Sequence, residues 1–222
     1  MSLRLLLDSA NPLIWEQWIS SGLFSGITTN PTLLKQAGQP CNFESIRDLA
    51  TKAQTLGYRE IHFQAWGETY QKQYECGLSL GKLSRENLDV YVKVPITLQG
   101  SQVAKKLMES NLSITFTACY EVQQVLIAAS IGVKYIAPYM GRMSDLGIDA
   151  LSELISMQRT LKNIGSTCEI LVASIRNKND IIKLANEGLN TFTLSPQLAE
   201  DLFDVNETIR ASEDFEKAAK NI

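Results

Sequence analysis

Eight short β-rich runs, each followed by a stretch of helical periodicity, constrain this chain more than any other feature of its sequence. The runs fall at about 3–7, 26–29, 60–65, 90–94, 113–117, 135–139, 169–174 and 191–194. Between and after them lie amphipathic segments at 12–20, 43–56, 68–80, 99–109, 120–130, 146–161, 177–186 and 197–202. Asn11 before Pro12 suits an N-cap followed by proline in the first helical position, and Gly57, Gly132 and Gly188 suit C-terminal caps. Strict alternation of strand and helix predicts a parallel sheet, and eight repeats predict a (β/α)8 barrel of the TIM type. At 222 residues the chain is shorter than the roughly 250 usual for such a barrel, which implies short loops. A doubly wound open sheet needs fewer strands or a longer chain. No Pro-, Gly- or Ser-rich linker divides the sequence. It reads as one domain over 1–222, with 204–221 as a helical extension that has to pack somewhere, a neighbouring subunit being a suitable place.

Composition narrows the function classes. With 45% hydrophobic residues the chain can bury a sizeable core. Its 21 basic and 24 acidic residues give a net charge of -3, which argues against a general binder of nucleic acid or anionic membranes. Four scattered cysteines with no C-x-x-C pair, and a single histidine, make a zinc site an unsuitable reading. The N-terminus lacks a signal-peptide layout, and Lys134 interrupts the longest apolar stretch well before the length of a membrane span. The expectation is a soluble, reduced, cytoplasmic protein without metal or cofactor.

Lys93 stands inside Val90-Tyr91-Val92-Lys93-Val94-Pro95, a β-branched and aromatic run. Lysine is rarely buried unless something pairs with it or uses it. Desolvation favours its neutral amine, which attacks carbonyls to form a Schiff base. An edge-strand lysine facing solvent is the alternative, and alternation alone does not say which face of the run is wet. The other strands help, because chemistry in a barrel gathers at their C-terminal ends. Strand one ends at Asp8, strand two at Thr28-Thr29-Asn30, and strand three at Gln64. Strand five carries Thr115 and Thr117, strand six ends at Tyr139 with Arg142 following, and strand seven at Ser174 with Arg176 following. Singly, Asp8 and Asn30 read as turn or cap residues, the threonines as strand formers and the arginines as solvated charges. Together they read as a site. Lys93 is then the nucleophile and Asp8 the carboxylate that moves protons or holds a hydroxyl. Gln64, Thr117 and Tyr139 suit the holding of a water, and Asn30 the orienting of hydroxyls or of the lysine. Arg142 and Arg176, with Ser174 between them in sequence, suit a phosphate clamp. His62 reads as a packed or hydrogen-bonded core residue.

At these positions the sequence resembles the small transaldolase family, which includes fructose-6-phosphate aldolase. The resemblance is carried by Leu7-Asp8-Ser9-Ala10, Gly26-Ile27-Thr28-Thr29-Asn30-Pro31-Thr32 and Val92-Lys93-Val94-Pro95-Ile96-Thr97. Ala137-Pro138-Tyr139-Met140-Gly141-Arg142 and Val172-Ala173-Ser174-Ile175-Arg176 continue it. It implies a metal-free, cofactor-free class I aldol mechanism on sugar phosphates. Lys93 forms a Schiff base with a ketose phosphate such as fructose 6-phosphate, and cleavage between C3 and C4 leaves a dihydroxyacetone unit on the lysine. A transaldolase of the pentose phosphate pathway passes that unit to an aldose phosphate such as erythrose 4-phosphate, whereas an aldolase releases it. Gln64, Tyr139 and Thr117-Ala118-Cys119-Tyr120 resemble the aldolase. Arg176 and Met140-Gly141-Arg142 resemble the transaldolase, the commoner role and the first expectation. A phosphosugar-binding barrel without catalysis is the third reading. The resemblance also implies rings of five subunits, stacked as decamers, with the C-terminal helix reaching a neighbour through Val205, Ile209, Phe215 and Ala219. A homopentamer or homodecamer is therefore expected.

Overall fold

Both faces of the β-rich runs are buried, which resolves the ambiguity around Lys93. Val90, Val92 and Val94 join the large core beneath the helices, while Tyr91 packs with Leu6, Tyr135, Ala137 and Leu171 in a second cluster within the barrel. Alternation therefore separates a helix-facing side from a barrel-facing side, as a closed parallel sheet requires.

The structure is a computed structural model that describes residues 2–220; the last position of the expected extension, residue 221, lies outside the described residues. The first part of the chain forms β1 (Arg4–Asp8), α1 (Pro12–Ile19), β2 (Gly26–Thr28), α2 (Pro31–Gln36), α3 (Phe43–Leu56) and β3 (Glu60–Gln64). Next come α4 (Tyr70–Gly81), β4 (Asp89–Pro95), α5 (Leu98–Met108), β5 (Ser113–Cys119), α6 (Gln124–Ile131) and β6 (Tyr135–Pro138). The chain then runs through α7 (Met140–Asp145), α8 (Ala150–Asn163), β7 (Glu169–Val172), α9 (Lys178–Asn186), β8 (Thr191–Leu194), α10 (Pro196–Phe203) and α11 (Asn206–Lys220). The strands close into a parallel barrel in the order β1 to β8. The fold is a (β/α)8 barrel with an extra C-terminal helix.

Local sequence explains the helix starts. The side chains of Asn11, Asn42, Thr69, Thr97 and Ser195 each accept a hydrogen bond from a first-turn N–H of the helix they precede. Two short helices were not expected. The Asn30-Pro31 pair starts α2, with Asn30 as the cap. The expected segment 146–161 corresponds to α8, and α7 forms separately straight after β6. Both short helices sit at the C-terminal ends of strands. There the chain turns off the barrel, and the hydrophobic stripe needed to read a helix from periodicity is too short to show. None of the residues of α11 is buried; Ile209 and Phe215 within it and Val205 just before it lie exposed. Among the described residues no helix is long and apolar enough to cross a membrane.

The N-terminal half of the barrel interior is polar. Arg4 donates to Glu60 at 2.7 Å and to the Tyr135 hydroxyl, and lies 3.5 Å from Glu169. Gly26 makes room for this cluster, since a Cβ there would fall 2.2 Å from Cγ of Glu60. His62 is fully buried, stacked on Tyr91 at 4.6 Å, with Nδ1 2.9 Å from the Thr115 hydroxyl and Nε2 3.4 Å from Glu60. It is the hydrogen-bonded core histidine the sequence suggested. Burial pushes the imidazole below its ordinary pKa, so it is neutral at pH 7. Burial alone would raise the Glu60 carboxyl, but contacts to His62 and Arg4 outweigh it and hold the group below 4.5.

A group with a depressed folded-state pKa contributes stability that is present above its unfolded value and lost as pH falls through the folded one. Glu60→Gln should therefore cost about 2 kcal/mol in denaturant unfolding at pH 7, by stranding Arg4 and His62. The difference from the wild type should shrink as pH falls below 4.5. A constant difference down to pH 3 contradicts the role given to the ionised carboxylate.

Candidate active site

The C-terminal ends of the strands surround a cavity of about 200 Å3 whose wall includes Asp8, Thr28, Asn30, Lys93, Tyr139, Arg142 and Ser174. Lys93 occupies the inward face of β4, in register with Gln64 on one side and Thr115 on the other. It is only 5% exposed, and its Nζ donates to the backbone carbonyl of Thr29 at 2.9 Å. Burial drives its amine well below the ordinary lysine value; Asp8 works against that shift and Arg142 adds to it. Asp8 shifts the other way. Burial raises its carboxyl, while Lys93, the Thr28 hydroxyl and Arg142 favour the charged form and partly offset the rise. A buried amine and a half-buried acid with opposed shifts, on one cavity, form a pair suited to nucleophilic attack and proton transfer.

A chain of hydroxyls holds the acid in place. Thr28 donates to Oδ1 of Asp8 at 2.6 Å, and the Thr28 and Thr193 hydroxyl oxygens lie 2.5 Å apart. Asn30 uses its Oδ1 to cap α2, accepting from Leu33 N–H at 3.0 Å, so its amide N–H groups are left for other partners. The cap and site readings of Asn30 are thus compatible.

Tyr139 follows β6, and its hydroxyl is 2.6 Å from that of Thr117. The β5–β6 register shifts between Thr117 and Cys119, with Ala118 in a left-handed conformation at φ 57°. Bulges of this kind re-aim side chains at barrel rims. The Arg142 guanidinium lies over the Tyr139 ring, 4.7 Å from its centre. Gln64 is half-buried, and its Nε2 is 3.3 Å from the backbone carbonyls of Ala65 and Lys93. Ser174 is also left-handed, at φ 59°, and its carbonyl accepts from Gly141 N–H at 2.8 Å.

Arg176 stands apart from this set. It is exposed at the rim, outside the cavity wall, in a two-pronged ion pair with Asp145. Among the residues that sequence reasoning did not single out, Thr193, Thr32 and Gln36 also line the cavity. Thr193 lies on the inward register of β8, opposite Leu6, and the eighth strand end was open to the same reading as the other seven. Thr32 and Gln36 come from α2, which periodicity did not reveal. A larger groove of about 450 Å3 between α1 and α3 shares no residue with this cavity and has no buried ionisable side chain in its wall. Among the described residues, no three His, Cys, Asp or Glu side chains gather in a metal-holding group.

The sequence model of the transaldolase/fructose-6-phosphate aldolase family matches residues 5–222. The chain belongs to this family. A probable transaldolase of Caulobacter sp. (strain K31) is 29% identical over 215 residues, covering 97% of this chain and 95% of that protein. A probable transaldolase of Bartonella bacilliformis is 28% identical over 200 residues, covering 90% and 88%. Among solved structures, a thiamine phosphate pyrophosphorylase from Pyrococcus furiosus superposes with a TM-score of 0.60 at 12% identity, over 87% of this chain and 85% of that one. That likeness is one of fold alone. As a member of its family the chain is an enzyme, a transaldolase or a fructose-6-phosphate aldolase.

The coupling of Lys93 to Asp8 can be measured without any substrate. In Asp8→Asn the carboxylate that favours the charged amine is gone, so Lys93 should lose its proton at lower pH. Reductive methylation of Lys93 by formaldehyde, followed by peptide mass spectrometry against pH, should rise at lower pH in the variant. A rise at the same or higher pH contradicts the coupling.

Proposed function

We propose that this enzyme is a class I transaldolase of the pentose phosphate pathway. It moves a dihydroxyacetone unit from a ketose phosphate such as fructose 6-phosphate to an aldose phosphate such as erythrose 4-phosphate. The observation that carries this reading is the buried amine of Lys93 on the same cavity as the half-buried carboxyl of Asp8. The neutral amine attacks the C2 carbonyl, and loss of water gives the Schiff base. Asp8 takes the proton of the C4 hydroxyl as the C3–C4 bond breaks, releasing glyceraldehyde 3-phosphate. The three-carbon carbanion stays on Lys93, stabilised by the iminium, until the acceptor aldehyde adds. Asp8 then returns the proton to the new hydroxyl, and water frees the product from the lysine. Thr28 holds Asp8, Asn30 orients substrate hydroxyls, and Arg142 and Ser174 receive the phosphate with Arg176 joining them.

A second reading, the hydrolytic aldolase, is favoured by one specific contact: the hydroxyl pair of Thr117 and Tyr139 at 2.6 Å. A phenol held this way suits protonation of the carbanion, with Gln64 and Thr117 holding the water that releases dihydroxyacetone. Two assays separate the readings. With fructose 6-phosphate alone, glyceraldehyde 3-phosphate should be slow to appear, and erythrose 4-phosphate should accelerate it. Equal rates with and without acceptor favour the aldolase.

Borohydride trapping with fructose 6-phosphate should add a three-carbon unit to the peptide containing Lys93. Lys93→Met should lower activity by a thousandfold or more, on the order seen when a covalent nucleophile is removed. Label on another lysine refutes the mechanism. Tyr139→Phe should depress acceptor-independent cleavage by about a hundredfold, the scale of general acid catalysis, and acceptor-dependent transfer much less. Equal losses in both rule out Tyr139 as the proton donor.

In assembly we infer a homopentamer or homodecamer in the cytoplasm, supported by the exposed apolar side chains of Val205, just before α11, and of Ile209 and Phe215 within it. Light scattering at micromolar concentration should find a large homo-oligomer; a monomer overturns this.

A further inference from the structure

Arg176 is one of the two guanidinium groups assigned above to the phosphate, yet its side chain is turned to a carboxylate of the protein itself. Gly141 shapes this arrangement. A Cβ at that position would fall 2.4 Å from the Ser174 carbonyl oxygen and 2.8 Å from Nε of Arg176. The arginine therefore runs tight against the first turn of α7. Its guanidinium meets Asp145 at the far end of that short helix, Nη1 and Nη2 each 2.5 Å from one carboxylate oxygen. Both forward-facing donors of the fork are used. A phosphate is recognised by a guanidinium through the same edge, with two parallel hydrogen bonds. Carboxylate and phosphate cannot both hold that edge.

We propose that Asp145 is a built-in competitor for substrate phosphate at Arg176, and so a residue that tempers the preference for phosphorylated over unphosphorylated sugars. The inference rests on Arg176 belonging to the phosphate clamp. Asp145 holds Arg176 at the rim, and of the two arginines only Arg142 lines the cavity. The two side chains of the pair are 59% and 52% exposed, so solvent screens the pair and it breaks readily. A phosphate of nearly two negative charges outbids the single carboxylate and draws Arg176 inward beside Ser174. An unphosphorylated sugar offers nothing to displace Asp145, and it meets a cavity with one arginine instead of two. Asp145 thus lowers affinity for every phosphorylated ligand by a modest factor.

The test is Asp145→Asn, which keeps the shape and removes the charge. Inorganic phosphate, titrated by calorimetry, should bind about threefold tighter than to the wild type, the scale set by an exposed ion pair. The KM for fructose 6-phosphate should fall by a similar factor while that for fructose, which lacks the phosphate, stays in place. Asp145→Ser should move both quantities in the same direction, and matching thermal melts identify folded variants. Unchanged or weakened phosphate binding in the folded variants overturns the competition, since Asp145 would then be neutral or would orient Arg176 for phosphate. Arg176→Ala separates the two levels of the argument. If it raises the KM for fructose 6-phosphate and Asp145→Asn does not lower it, only the competition is wrong. If Arg176→Ala leaves that KM unchanged, Arg176 is no part of the clamp and the competition is overturned with it.

Discussion

The desolvation of one amine is the constraint on which the rest of the site depends. An ammonium inside a closed barrel loses its hydration, and the protein returns one backbone carbonyl, that of Thr29, and the charge of a nearby carboxylate. That return is incomplete, so the neutral form gains ground, and a neutral amine is the form able to attack a carbonyl. A stronger partner for Lys93 would make the fold easier to hold and the amine harder to use. Asp8 mirrors it. Burial favours its neutral acid, and the Thr28–Thr193 hydroxyl chain keeps it oriented.

Beneath that layer the barrel carries a second polar cluster of a different kind. Arg4, Glu60, His62, Thr115 and Tyr135 are joined by hydrogen bonds into one connected group. Charges here are paired, whereas in the upper layer they are left partly unmatched. The contrast follows from location. The lower layer is closed by strands and must satisfy its own donors and acceptors. The upper layer opens onto a cavity, where unmet polar groups can meet a substrate.

Local backbone irregularities place the remaining groups. The bulge at Ala118, the left-handed Ser174 and the short helix α7 all lie where strands β5 to β7 leave the barrel. They set Thr117 against Tyr139, Arg142 over the tyrosine ring, and Arg176 across Gly141 toward Asp145. Each depends on a few residues turning a side chain through a large angle at low cost, which regular strand geometry does not allow.

Strand-helix alternation was readable in the sequence because helix and strand periods are local properties of the chain. So was the gathering of Asp8, Asn30, Lys93, Tyr139 and Ser174, once barrel topology placed successive strand ends on one rim. Boundaries were less legible: α2 and α7 are too short to show a stripe, and Thr32 and Gln36 of α2 were not read as part of the cavity wall. The burial of Lys93 was not readable either, since Val92 and Val94 merely take the other face of the strand and only closure of the sheet makes both faces dry. Tertiary structure alone decided which partners the polar side chains keep. Arg176 pairs with Asp145, Asn30 spends its carbonyl on a helix cap, and Thr193 reaches Thr28 across the seam where β8 meets β1. Those choices join residues tens to more than a hundred positions apart or depend on a cap's exact dihedral angles, and no local pattern encodes either. The chain's own sequence therefore determined the barrel and most of the rim, while closure of the barrel determined the protonation bias of Lys93 by removing water from around it.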